Sequence, residues 1–343
     1  MKILSRLQKL TVLILVFSMS CIYAQVTELD NIDETFSNIS SVKIEGSFCK
    51  VNIKSHNDHT TMLKAELKGS ENLNDVKFKY TTDNSTLHLW VDKPKNIWGN
   101  LSGTIDVIVP KNTNIDVDNS SGSVTVEGIG NAEVVVVTSS GGLHVDQIDS
   151  DLRCKSSSGS QWISNVTGSL KTSSSSGSQK ISNIGQGVQT NASSGSIDIV
   201  NVNGNTSAEA SSGTVRVSNV IGDLIAKATS GGVKVSEIDG NLKGSTSSGS
   251  IHISTLRGSL HLNSSSGSQN GNNITLTESS SFNSSSGSIN MDLKNGTAEL
   301  SFDLSASSGS LNAKGTKGRK SLHIDKGPIK IKGSSSSGSQ NYN

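Results

Sequence analysis

The stretch SSGSIDIVNVNGNTSAEASSGTVRVSNVIGDLIAKATSGG, residues 193–232, states one pattern twice. A Ser-Ser-Gly is followed by an alternating apolar run, a second glycine and a second alternating run. Marking each unit by its first glycine gives Gly122, Gly141, Gly159, Gly177, Gly195, Gly213, Gly231, Gly249, Gly267, Gly287 and Gly309. Every step from Gly141 to Gly267 is eighteen residues; the step before is nineteen, and those after are twenty and twenty-two. A fixed period with drifting ends marks a repeat architecture.

Positions counted forward from each glycine form columns. Position +2 holds Leu143, Ile197, Val215, Val233 and Ile251, and position +4 holds Val145, Ile163, Ile181, Ile199, Val217 and Val235. That is the period of a strand with one buried face. The next apolar column, at +7, breaks the parity (Ile148, Val166, Ile184, Val202, Val220), so the chain turns a corner there. A glycine follows at +9 in most units, and a second strand then buries +11, +13 and +15. Cys154 falls in the +13 column.

One such unit cannot bury its own apolar side; stacked units can. The pattern therefore predicts an all-β fold, a parallel β-solenoid (a single-stranded β-helix, right-handed by preference) with 18-residue coils. At about 4.8 Å per coil, eleven coils make a rod on the order of 50 Å long. The Ser-Ser-Gly glycine is expected at a corner needing positive φ, which glycine adopts at little cost. At position +6, Asn165, Asn183, Asn201 and Asn219 occupy four successive coils. Their amides are expected to bond along the stack as a structural ladder rather than a binding stripe.

The chain has 343 residues and a formal net charge of +1, which gives no electrostatic footprint for nucleic acid. Lys2, Arg6 and Lys9 precede the apolar run Leu10–Ser20. That run is short for a membrane span and reads as a secretory signal over residues 1–24, with cleavage after Ala24 preferred to lipidation at Cys21. No transmembrane span is expected in the mature chain, which is placed in the periplasm or at the cell surface. Residues 25–112 keep strand alternation without the period and should form an irregular β start that caps the solenoid. Residues 113–330 form the regular repeats, and residues 331–343 are expected to be a frayed or disordered tail.

Little in the sequence points to catalysis. Outward position +3 reads His144, Trp162, Lys180, Asp198, Arg216, Lys234 and His252, without the stacked carboxylates of a polysaccharide-cleaving β-helix. Asp198 and Arg216 read as surface charge pairing. The two histidines of HNDH, residues 56–59, have neither a cysteine nor a third ligand beside them, and no cofactor fingerprint occurs. No catalytic, cofactor or metal residue is assigned. Trp90 and Trp98 flank a proline loop in a chain with 3% aromatics and are candidate ligand-binding residues, although both could simply pack the irregular end.

The opening FSNISSVKIEGSFCKVNI, the passage GTIDVIVPKNTNIDVDNSSGSVTVEGI and the following S-S-G-x-apolar-x-apolar repeats resemble an adhesin-type domain of unknown function common in bacterial envelope proteins. They are also similar to the head domain of auto-transporter-type adhesins. The resemblance covers about residues 36–330. It implies a β-solenoid at the cell envelope and supplies no catalytic residues. The expected function is non-enzymatic: adhesion to a surface protein or glycan through a rigid rod. A structural or self-assembling envelope scaffold is the main alternative, and a carbohydrate-active β-helix is the weaker one.

Overall fold

The computed structural model describes residues 26–343; the expected signal segment and its cleavage or lipidation sites lie outside the described residues. Among the described residues the regular elements are all strands, joined by short turns, apart from one short 3-10 turn at Glu71–Leu73. Each repeat contributes two strands, one to each of two stacked parallel ladders. The first ladder runs through Gln161–Val166, Gln179–Ile184, Ile197–Asn203, Val215–Ile221 and Val233–Asp239. The second runs through Leu170–Ser174, Val188–Ala192, Thr206–Ala210 and Leu224–Ala228. Like positions face like: Ile199 pairs with Val217, Val217 with Val235, and Cys154 with Thr172. The +2, +4 and +7 residues of both the earlier and later coils are buried, giving a β-solenoid-like stack with one continuous core.

The corner glycines have a different reason from the expected one. Among the Ser-Ser-Gly glycines only Gly309 has positive φ; it falls instead on the second glycines Gly204, Gly222, Gly240 and Gly258 and on position +6, at Gln147, Asn165, Asn183, Asn201, Asn219, Glu237, Thr255 and Asn273, where φ lies between 54° and 62°. The Ser-Ser-Gly glycines are required by proximity. A Cβ on Gly177 would overlap the carbonyl oxygen of Gly159, and one on Gly213 would overlap that of Gly195. The backbone crosses this corner in hydrogen-bonded layers, with Ser194 N donating to Ser175 O at 2.8 Å and Ser212 N to Ser193 O at 2.9 Å. A side chain there would prise the layers apart.

Two coils are stacked out of sequence order, one at each end. Near the start, Ser41–Ser47 lies between Thr86–Asp92 and Asn114–Asn119, and Lys50–His56 lies between Leu101–Pro110 and Val124–Glu127. Near the finish, Ile329–Ser335 inserts between Ser280–Ser284 and Leu300–Ala306. Gln340–Tyr342 likewise inserts between Ile289–Leu293 and Leu311–Ala313. The expectation of a frayed tail over 331–343 is therefore overturned. Tyr342 is fully buried, with its ring 5.5 Å from that of Phe282 and 5.7 Å from that of Phe302. The final Ser-Ser-Gly does have strand partners: the coil strands that precede the hairpin and the first strand of the hairpin itself. The regular run to residue 330 is likewise interrupted by that hairpin, Leu300–Ala313 with Thr316–Ile324.

Antiparallel strands close the start. Val26–Ser37 pairs with Thr60–Ser70, which pairs with Leu101–Pro110; Lys77–Asp83 pairs with Thr86–Asp92. Cys49 stands at a corner where later coils have glycine, and Gly103 leaves room for its thiol. Cys49 and Cys154 are both free and buried. Burial pushes the Cys49 thiol up to about 12 and raises Cys154 further, so both act as small apolar groups.

Candidate functional site

The left-handed corner at +6 carries the most regular side-chain arrangement on the surface. Asn183 Nδ2 donates to Asn165 Oδ1 at 2.8 Å, Asn201 to Asn183 at 2.9 Å and Asn219 to Asn201 at 2.8 Å, each pair eighteen residues apart. Asn165 Nδ2 in turn donates to Asp146 Oδ1 at 2.7 Å, and Ser164 Oγ donates to the same oxygen at 2.6 Å. Every amide dipole thus points the same way and ends on a carboxylate, an arrangement in which each bond polarises the next. Asparagine suits the position because its short polar side chain tolerates left-handed φ.

Beside the ladder runs a shallow groove of about 630 Å³. One wall is the row Gln147, Asn165, Asn183, Asn201 and Asn219; the other is the row Asp149, Thr167, Gly185, Asn203 and Ile221. Between them, Val166, Ile184 and Val202 belong to the buried +7 column. The four ladder asparagines are exposed, and Ile221 is 60% exposed at one end. Each central asparagine spends one amide N–H and one carbonyl lone pair on its neighbours. An amide has two of each, so each central asparagine beside the groove keeps one donor and one acceptor that the ladder does not use.

A second ladder, not anticipated from the sequence, lies one strand on. Asp151 Oδ1 accepts from Ser169 N and Ser169 Oγ, both at 2.8 Å. Asn205 Oδ1 accepts from Asp223 N at 3.0 Å, Asp223 Oδ1 from Asn241 N at 3.0 Å, and Asn241 Oδ1 from Ser259 N at 2.8 Å. The signal is present in the sequence as Asp or Asn at position +10, directly after the second glycine at Asn205, Asp223 and Asn241 and after Ser150 at Asp151. These side chains take up backbone donors at a corner that has no sheet partner. The donated N–H and hydroxyl of Ser169 hold the Asp151 carboxyl below its ordinary value.

Position +2 also differs from the expected apolar column. Gln161, Gln179, Gln269 and, after the final Ser-Ser-Gly, Gln340 fill it on four coils, each buried. Gln179 Nε2 reaches across the core to Asn191 O at 2.8 Å and Ser174 Oγ at 3.0 Å, while Thr190 Oγ1 donates to its Oε1. Gln161 repeats this with Ser173 O at 2.8 Å and the Thr172 hydroxyl.

Trp90 lies in strand Thr86–Asp92 with its ring 5.0 Å from that of His88, while Trp98 stands 84% exposed in the loop that follows. Asp198 accepts from Arg216 Nη1 at 3.1 Å. His56 bonds to Thr60 O at 2.6 Å, and among the described residues no group of three or more His, Cys, Asp or Glu side chains is placed to hold a metal. No helix among them is long and apolar enough to cross a membrane.

The stacked Ser-Gly coils match the Toastrack DUF4097 family model twice, over residues 39–239 and 202–340. The chain belongs to this family. Among solved structures, the Toastrack chain aligns with a candidate cell adhesion protein from Clostridium sporogenes at 11% identity, over 91% of this chain and 98% of that one, with a TM-score of 0.18. A candidate adhesin from Bacteroides fragilis aligns at 12% identity over 91% and 97%, with a TM-score of 0.24. A candidate lipid-binding protein from Parabacteroides distasonis aligns at 15% identity over 92% and 97%, with a TM-score of 0.27. No curated protein matches the sequence.

Proposed function

We propose that this Toastrack protein is an exported, non-enzymatic envelope protein that binds a surface glycan along its asparagine groove, as an adhesin does. The observation that carries this reading is the row of unspent amide donors and acceptors on successive coils, beside the exposed Thr167, Asn203 and Ile221. Paired donor and acceptor groups suit vicinal hydroxyls, and Ile221 offers an apolar surface to the face of a sugar ring. An extended peptide advances about 3.4 Å per residue and would fall out of register with sites about 4.8 Å apart. Repetition turns many weak contacts into useful affinity, because each bound unit raises the effective concentration of the next.

The stiffness this needs comes from the winding, which we infer to be right-handed with eighteen residues per coil. The pairing of like positions supports the period, and the strong right-handed preference of parallel crossovers supports the hand. The Asn ladder then has a double role, bracing the corner and presenting its second N–H outward. Trp98 remains a candidate contact at the wider end, apart from the groove.

Glycan and protein arrays probed with the purified chain test the reading. Linear glycans should be retained, and Asn203→Ala with Ile221→Ser should lower retention at least tenfold without moving the melting temperature. Retention unchanged by that pair, or no retained glycan at all, would overturn the assignment to the groove.

A further inference from the structure

The two ends of the solenoid carry open strand edges of opposite charge, Val26–Ser37 and Thr316–Ile324, and we propose that they join copies of this chain head to tail into a filament. At the starting end, Val26–Ser37 pairs on one side with Thr60–Ser70 and has no strand on its other side among the described residues. It carries Glu28, Asp30, Asp33 and Glu34 and neither lysine nor arginine. At the finishing end, Thr316–Ile324 pairs on one side with Leu300–Ala313 and is likewise open on the other. It carries Lys317, Arg319 and Lys320 and no carboxylate. The starting end also leaves Lys77–Asp83 with a single partner, Thr86–Asp92; its Lys77, Lys79 and Asp83 reduce but do not reverse the excess of carboxylates there, so a chain of net charge +1 is acidic at one tip and basic at the other.

An open edge presents unpaired N–H and C=O groups, and charge on it commonly serves to block pairing. Here that block holds only between like ends. Two starting ends repel, two finishing ends repel, and a starting end attracts a finishing end. Neutralisation within the molecule is partial. Lys64 lies opposite Asp33 and Lys68 opposite Glu28, but Lys68 already bonds to Glu66 at 2.8 Å, and Glu34 faces Leu63. At the other tip the cross-strand neighbours of Lys317 and Arg319 are Asn312 and Ser310, and only His323 faces a carboxylate, Asp303.

The strand directions agree. Val26–Ser37 runs parallel to the coil strands, through two antiparallel steps. Thr316–Ile324 runs antiparallel to them, through one. Two copies stacked along a common axis therefore bring the tips together as an antiparallel pair. A bulge at Leu29 leaves Asp30–Ser37 as the regular length for pairing. Leu29, Ile32 and Phe36 at one tip, and Leu322 and Ile324 at the other, are only partly buried, so each tip adds apolar surface beneath its charges. The contact is heterologous; it leaves a free tip on each side and so propagates rather than closes.

Sedimentation and negative-stain imaging of the full purified chain test this. At 10 mM ionic strength, where charges act over about 30 Å, particles should lengthen in steps of one molecule; at 1 M, with about 3 Å, they should return to single molecules. Glu28→Lys with Asp33→Lys and Glu34→Lys makes both tips basic, and Lys317→Glu, Arg319→Glu and Lys320→Glu make both acidic. Asp30 is left alone because it accepts the Phe78 N–H at 2.8 Å. Each variant should stay single by itself, and an equimolar mixture should assemble alternately. Glutamine at the same basic positions is the milder substitution should the reversal fail to fold, and it should weaken assembly tenfold or more. Single molecules of the unaltered chain at low salt, or assembly that survives both reversals, would overturn the proposal. Glycan retention by the groove is read separately and should be the same in the tip variants.

Discussion

Gly177 lies so close to Gly159 of the preceding coil that a Cβ on Gly177 would overlap the Gly159 carbonyl oxygen. The same overlap recurs for Gly195 against Gly177 and Gly213 against Gly195, so the Ser-Ser-Gly spine sets how tightly the coils stack. Gly195→Ala should destabilise the protein by about 3 kcal/mol or more, since backbone on both sides must move. Gly142→Ala is the control, because the nearest atom to a Cβ there is Trp162 Cζ3 at 3.5 Å. Thermal melts of the two variants check this, and equal effects would remove proximity as the reason for the glycine.

The inside–outside assignment is tested on adjacent residues. Val217 is 2% exposed, and Val217→Asp should cost about 4 kcal/mol or more, since a carboxylate would sit unpaired in a dry core. Arg216 is an exposed residue paired with Asp198. Arg216→Asp loses that pair and sets two carboxylates side by side, which should cost about 1 kcal/mol or less. Chemical denaturation of both variants gives the comparison.

The buried glutamines come with matched threonines. Gln161 accompanies Thr172 and Gln179 accompanies Thr190, whereas on the next coils Ile197 accompanies Ala208 and Val215 accompanies Ala226. Gln179→Ile alone strands the Thr190 hydroxyl and the Asn191 carbonyl in the core, at about 1–3 kcal/mol. Gln179→Ile with Thr190→Ala copies the following coil and should recover most of that loss. A double variant no more stable than the single one would show that the pair is not coupled.

These cases show what the sequence could and could not convey. The strands, the corner at +7 and the stacking of Ile199, Val217 and Val235 follow from side-chain periodicity, because alternation reports burial directly. The Asn165–Asn219 ladder was visible for the same reason. The end coils were not, since their pairing depends on which distant strand fills a gap. Nothing local marks Gln340–Tyr342 as the partner of both Ile289–Leu293 and Leu311–Ala313. The glycine at the corner was misread because absence of a side chain serves two ends, positive φ and close approach, and sequence does not separate them. The groove was missed as a site because its second wall, Thr167, Gly185, Asn203 and Ile221, has no common residue type.

Acid should act on the second ladder. Ser169 donates two hydrogen bonds to Asp151, which lowers the carboxyl below its ordinary pKa of about 4. A group so depressed stabilises the fold fully above its unfolded pKa, and that contribution is lost as pH falls through the lower folded value. Asp151→Asn keeps the acceptor and removes the titration. Its stability should therefore fall less than that of the unaltered chain between about pH 4 and pH 2. Parallel acid limbs in the two melting profiles would show that Asp151 contributes nothing to the pH dependence.

The Asn ladder stops at Glu237, and its stopping point is a place to gain stability. Glu237 holds φ 57° at the next coil after Asn219, and Thr255 holds φ 62° after that. A carboxylate cannot donate to the Asn219 Oδ1, so the chain of amides stops there without a further donor. Glu237→Asn supplies the missing N–H and a side chain better suited to left-handed φ, which should add about 1 kcal/mol. Thr255→Asn should add a similar amount, because a β-branched residue is strained in that region, and Asn273 Nδ2, now 3.0 Å from Thr255 Oγ1, would keep an acceptor. Asn201→Gly separates the two contributions: it keeps the backbone conformation at no steric cost but breaks the ladder in the middle. If Asn201→Gly melts with the unaltered chain while Asn201→Ala falls by about 1 kcal/mol, then φ alone selects asparagine and the amide chain adds nothing. A loss in both assigns the remainder to the hydrogen bonds between Asn183, Asn201 and Asn219.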